Sequence, residues 1–153
     1  MMRKIGFVLL AVVLLMGCSK SQATFYDTQG KSIALANLKG KWVIINYWAD
    51  WCDSCVAEIP ELNQFYFNNH DSNIILLGVN YDQLPLDTLR NTVQKIGIAF
   101  PVLTEDPNSV WNLGQITAIP VTFIVNPAGR VAKTIVGPST EQHLKQIMHE
   151  LEA

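Results

Sequence analysis

The stretch "WVIINYWADWCDSC", Trp42 to Cys55, constrains the fold more than any other part of the chain. From Trp42 to Trp48 it is almost wholly aromatic and β-branched. A run that short and continuous predicts a strand buried on both faces, as at the centre of a parallel or mixed sheet. Beyond it the spacing changes. Val56, Ile59, Leu62, Phe65 and Tyr66 recur at three- and four-residue intervals, which predicts a helix from close to Cys52 to about Asn69. Pro60 falls inside it and removes a backbone donor, which predicts a kink. Two cysteines, Cys52 and Cys55, therefore stand where a central strand hands over to a helix.

The other elements follow the same two periods. Thr24 to Leu35 carries a turn signal at Gln29-Gly30-Lys31 and predicts an N-terminal hairpin. Ala36 to Lys41 reads as a turn, Asn73 to Asn80 as a second buried strand. Pro85 to Ile96 is helical in spacing and ends at Gly97, a suitable cap. Phe100 to Leu103 reads as a short strand and Ser109 to Leu113 as a short helix. Val121 to Asn126 is a third core strand, Pro127 to Gly129 a turn, and Arg130 to Gly137 a half-exposed strand. Thr140 to Leu151 closes the chain as an amphipathic helix capped by Thr140, with Leu144, Ile147, Met148 and Leu151 inward. The order βαβαβ then ββα calls for an α/β fold with a mixed sheet.

The N-terminus is of another kind. Arg3 and Lys4 precede Ile5 to Met16, twelve residues that are apolar apart from Gly6. A spanning helix needs about 20 such residues, so this run reads as an export signal, not an anchor. "LMGC", Leu15 to Cys18, resembles the bacterial lipobox, in which the cysteine receives a diacylglyceryl group. That resemblance divides the chain into a signal peptide (1–17), a lipidated Cys18 with its tether (18–24), and a folded domain (25–153). The other reading is an ordinary cleaved signal with an unmodified cysteine. Assigning Cys18 to lipid leaves two of the three cysteines as an even pair. Without Arg3 and Lys4 the chain has 9 basic against 13 acidic residues, net −4, and no basic stripe, which argues against a nucleic-acid partner.

The chemistry of the pair follows from its place. Cysteines three apart in a first helical turn can reach one another. They close only a tiny loop, so a purely structural disulfide contributes little. At the helix start, unpaired N–H groups and the dipole favour the thiolate of Cys52, the form that attacks disulfides, and Cys55 can resolve the mixed disulfide. A zinc half-site would need a second ligand pair, whereas His70, His143 and His149 are scattered. An inert thiol pair is the remaining alternative. Pro120 stands directly before a core strand, where a cis Ile119–Pro120 bond would fit; the alternative is a trans proline that merely starts an edge strand. Glu58, three after Cys55 on the same side of the helix, is placed to move a proton to or from Cys55 if buried, and is a solvated carboxylate if not.

From about Phe25 to Leu151 the chain resembles the TlpA/ResA group of thioredoxin-like thiol-disulfide oxidoreductases, which includes the cytochrome c maturation reductases. The pieces that carry the resemblance are "LKGKWVIINYWADWCDSC", "CVAEIP", "GVNYD" and "AIPVTFIVNPAGRV". It implies a thioredoxin-like fold with an extra helix in the central crossover, within Tyr81 to Gln115. It also implies Cys52 as nucleophile, Cys55 as resolving thiol, an active-site carboxylate at Glu58, and Pro120 as the cis proline beside the substrate strand. The substrate groove would be formed by Trp51, the Cys52 loop and Ile119–Pro120. No cofactor or metal is implied. Two departures stand out. Thioredoxin has a buried Asp six residues before its first active-site cysteine; here Asn46 holds that place, so the proton-transfer role falls to Glu58. Between the cysteines stand Asp53 and Ser54, where most relatives have Pro or Gly.

Asp50 and Asp53 set negative charge near Cys52 and work against its thiolate. A less stable thiolate makes the disulfide more favoured and the dithiol a better reductant. The expectation is a membrane-tethered, extracytoplasmic disulfide reductase acting on a thiol protein such as apocytochrome c, fed by a transmembrane thiol electron donor. A disulfide oxidase or isomerase, a Cu(I) chaperone and a non-catalytic interaction module are the competing readings.

Overall fold

The computed structural model describes residues 23–69 and 72–153. The signal segment, Cys18, all but the end of the tether, and His70 lie outside the described residues. Strand β1 (Thr24–Tyr26) pairs antiparallel with β2 (Ser32–Ala34). The turn between them is held by Asp27, whose Oδ1 accepts the N–H groups of Gln29 and Lys31 at 2.9 Å each. Gly30 takes φ 80°, a left-handed value that costs glycine nothing. This is the predicted hairpin. The segment after it is not a simple turn: Leu35–Leu38 forms a one-turn helix, α1. Four residues are too few to show a period. What holds α1 is tertiary, because Leu38 is buried against the sheet.

The main body alternates as expected: β3 (Trp42–Trp48), α2 (Asp53–Asn69), β4 (Ile74–Asn80), α3 (Leu86–Ile96) and β5 (Val102–Leu103). Then come α4 (Asn108–Trp111), the hairpin β6 (Val121–Val125) and β7 (Val131–Val136), and α5 (Glu141–Glu152). The sheet order is β5-β4-β3-β6-β7. Strands β3, β4 and β5 run parallel, and β6 and β7 are antiparallel to their neighbours. Helix α2 continues unbroken through Pro60.

Alternation along β3 sorts the core into two faces. Ile44 and Trp48 join Ile59, Leu62 and Phe65 of α2 and Leu144, Ile147 and Met148 of α5. Val43, Ile45 and Tyr47 join Phe25, Leu38 of α1 and Trp111 of α4 on the other face. Asn46 shares parity with Ile44 and Trp48, so its amide points toward α2. Thr140 caps α5 by accepting the His143 N–H at 3.2 Å, as its sequence position implies.

One glycine matters for packing. A Cβ on Gly78 of β4 would lie 2.9 Å from Phe100 Cε2 and 3.2 Å from Trp48 Nε1. Overfilling such a site costs about 1–3 kcal/mol. Gly78→Ala is therefore expected to lower the midpoint of denaturant unfolding without changing its slope. An unchanged midpoint would show that Phe100 swings away freely.

Candidate active site

Strand β3 ends at Trp48, and four residues later Cys52 sits immediately before α2. Its Sγ accepts the Cys55 N–H at 3.3 Å, so the sulfur fills the role of a helix cap. Cys52 and Cys55 form a disulfide with Cα atoms 5.2 Å apart. The two sulfurs differ in access: Cys52 retains 8% of its surface and Cys55 none. Ser54 Oγ lies 3.5 Å from Cys52 Sγ. Asp50 precedes the pair, Asp53 lies between the two cysteines, and both are exposed.

Trp51 is 62% exposed, yet it is pinned. Its Nε1 donates to Asp82 Oδ2 at 2.7 Å, and Tyr81 meets its ring edge-on at 6.4 Å. Tyr81 and Asp82 follow the end of β4, beside the end of β3. Sequence reasoning did not assign them to the site; their only signal was the motif "GVNYD". The Ile119–Pro120 bond is cis. Val121 pairs with Tyr47, so Pro120 lies level with the end of β3 from which the Cys52 loop departs. Pro120 is buried, its carbonyl accepting Gly137 N–H at 2.8 Å, and Ile119 is half-buried against the cluster that holds both cysteines.

Glu58 is a buried carboxyl, 3% exposed, one turn after Cys55. Its Oε2 accepts the Ser139 N–H at 2.7 Å, and its Oε1 accepts Asn46 Nδ2 at 2.9 Å. Burial pushes its pKa above the ordinary value; the hydrogen bonds from Ser139 and Asn46 pull the other way and do not overcome it. Asn46 Nδ2 also donates to Thr122 Oγ1 at 3.0 Å. Asn46, Thr122 and Ser139 are polar partners that the sequence alone did not assign. Among the described residues no group of three or more His, Cys, Asp or Glu is placed to hold a metal ion.

The model of the AhpC/TSA family matches residues 18–134. The chain is 32% identical to the thiol-disulfide oxidoreductase ResA of Bacillus subtilis over 123 residues, which is 80% of this chain and 68% of ResA. The chain belongs to the AhpC/TSA family, among its ResA-like thiol-disulfide oxidoreductases. Solved structures agree. StoA from Bacillus subtilis superposes with TM-score 0.68 at 26% identity, covering 83% of this chain and 97% of StoA. A thiol:disulfide interchange protein of Chlorobium tepidum superposes with TM-score 0.72 at 28% identity, covering 84% of this chain and 92% of that one. The fold is thioredoxin-like, a central mixed sheet flanked by helices, with the N-terminal hairpin and α3 where the sequence placed them. The protein is an enzyme of thiol-disulfide exchange, carrying a disulfide between the two cysteines of its CxxC.

Proposed function

We propose that this protein is an extracytoplasmic, lipid-anchored disulfide reductase with Cys52 as its nucleophile. The observation that carries the catalytic assignment is the asymmetry of the pair. Cys52 alone keeps exposed surface, and its sulfur receives a helix N-terminal N–H. Both favour attack by Cys52 as thiolate. Buried Cys55 is reachable only from within the protein, as a resolving thiol must be.

In the reducing direction, the Cys52 thiolate attacks a substrate disulfide. A mixed disulfide forms and one substrate thiolate leaves, taking a proton from water. The Cys55 thiol then gives its proton to the Glu58 carboxylate and attacks Cys52 Sγ. The second substrate thiolate leaves and is protonated. Two electrons and two protons have moved, and the protein is left as its disulfide. Trp51, held by Asp82 and Tyr81, and Ile119–Pro120 line the groove where the substrate chain lies.

The direction rests on charge. Asp50 and Asp53 oppose the Cys52 thiolate that the helix dipole and Ser54 favour. That destabilises the dithiol relative to the disulfide and makes it the better reductant. The "LMGC" stretch supports lipidation of Cys18, with residues 18–24 as tether to a domain spanning 25–153. Among the described residues no helix is long and apolar enough to cross a membrane. An exported reductase needs electrons from across the membrane, so a transmembrane thiol donor is part of this reading. The substrate class is an exported protein carrying a disulfide, apocytochrome c among them.

Equilibration of the purified protein with dithiothreitol or glutathione buffers tests the direction. A reduction potential below about −240 mV, on thioredoxin's side of the scale, is expected for a reductase. A value above about −150 mV would move the assignment to disulfide formation or isomerisation.

A further inference from the structure

Glu58 sits in a site built from three parts of the chain, and Asn46 of β3 is its hinge. The Asn46 side chain has no exposed surface. Its Nδ2 carries two hydrogens and places both, one on Glu58 Oε1 and one on Thr122 Oγ1. Its Oδ1 is buried and unpartnered. An amide held this way presents its donor end to Glu58 and turns its acceptor end elsewhere. The other contact of Glu58, the Ser139 N–H, is backbone and cannot reverse. Of the two groups bonded to this carboxyl, Asn46 is the one that can turn either a donor or an acceptor toward it.

We propose that Thr122 and Asn46 are positioning residues that set the proton affinity of Glu58. The Thr122 hydroxyl, by accepting the second N–H, fixes the Asn46 amide with its donor toward the carboxylate. The pair thereby holds Glu58 as a base against the burial that favours the acid. Thr122 lies two residues beyond Pro120 on β6, beside Asn46 in the β3–β6 pairing. The device thus joins the substrate-facing strand to the proton carrier. This rests on the reading of Glu58 as the group that takes the Cys55 proton.

Removing the Thr122 oxygen releases the Asn46 amide to turn, and the turn acts in one direction. If Asn46 keeps its donor toward Glu58 only while the carboxylate is ionised and turns once it is protonated, the ionised state alone carries a buried N–H without its partner, a cost comparable with a missing hydrogen bond. If Asn46 reverses, its carbonyl faces Glu58, which repels the carboxylate and accepts a bond from the acid. Both outcomes tighten proton binding. Among the described residues no charged side chain pairs with Glu58. The polar groups bonded to it are Asn46 from β3 and the backbone of Ser139 from the segment before α5, and the Ser139 hydroxyl is buried without a partner. Glu61, further along α2, is exposed and accepts the Glu141 N–H, so it is occupied elsewhere.

The test is a carbon-13 NMR titration of the Glu58 carboxyl in the oxidised protein, which needs no turnover. Thr122→Val keeps shape and removes the oxygen. It is expected to tighten proton binding by Glu58 about tenfold. Thr122→Ser restores the hydroxyl and is expected to return the midpoint to the native position. An unmoved midpoint in Thr122→Val overturns the proposal. So does an equal shift in both variants, because packing and not the hydroxyl would then be responsible. The pH profile of turnover, measured on the same variants, separates the two readings. If the carboxyl midpoint moves as expected and the profile does not follow, the positioning role stands and Glu58 is not the proton carrier.

Discussion

Cys52→Ser reduces disulfide exchange to the rate of the buffer thiol alone, whereas Cys55→Ser stops the protein after one half-reaction. The difference follows from where the two sulfurs lie. Serine at position 52 has the right size and can still cap α2, accepting the Cys55 N–H as the sulfur does. It cannot attack sulfur to any useful extent, because its hydroxyl stays protonated at neutral pH and forms no disulfide. Nor can Cys55 substitute, since it has no exposed surface. In Cys55→Ser the first attack is untouched. One substrate thiol is released per chain, and the substrate stays bound to Cys52 because nothing resolves it. Quantifying released thiol and detecting the adduct by mass spectrometry checks both. A stable adduct on Cys55 in Cys52→Ser would reverse the roles assigned here.

How far these assignments could be read in advance depended on sequence distance. Strand β3 and helix α2 were legible because their periods are long and their apolar residues are all used, as the burial of Val43 to Trp48 and of Ile59, Leu62 and Phe65 shows. Helix α1 was not. Its four residues form no pattern, and it exists because Leu38 finds the second core cluster. In the site, Cys52 and Cys55 were legible from spacing alone, since a helix start brings residues three apart together. The partners of Glu58 were not. Asn46 lies 12 residues before it and Ser139 81 after it, and only the sheet and the chain's return to α5 bring them to one carboxyl. The same holds for Asp82, which reaches Trp51 across 31 residues because β3 and β4 end side by side. Local chemistry was written in local sequence; its polar support came from topology.

That polar support makes Glu58→Gln the second variant with a large effect, on both activity and pH dependence. Glutamine can keep the contacts: its oxygen accepts the Ser139 N–H, and its amide can donate to Asn46 if that side chain turns its unpartnered Oδ1 inward. What is lost is the ability to take and give a proton. Positioned acid–base groups contribute about 10²–10⁴-fold, so the Cys55 step is expected to slow by about a hundredfold or more. The first attack by Cys52 should remain intact. Stability carries its own signature. Burial raises the Glu58 pKa above its ordinary 4.5. A raised value means the folded protein binds the proton more tightly than the unfolded chain. The stability from that binding is full below the unfolded value and is lost as pH rises through the higher folded one. A neutral glutamine has no such loss. The native protein should therefore weaken relative to Glu58→Gln as pH rises from about 4 toward neutrality, with both oxidised. Denaturant melts across that window measure the difference directly. Parallel curves would mean that Glu58 ionises as easily in the fold as outside it, and a carboxyl with no held proton would be a poor exchange partner for buried Cys55.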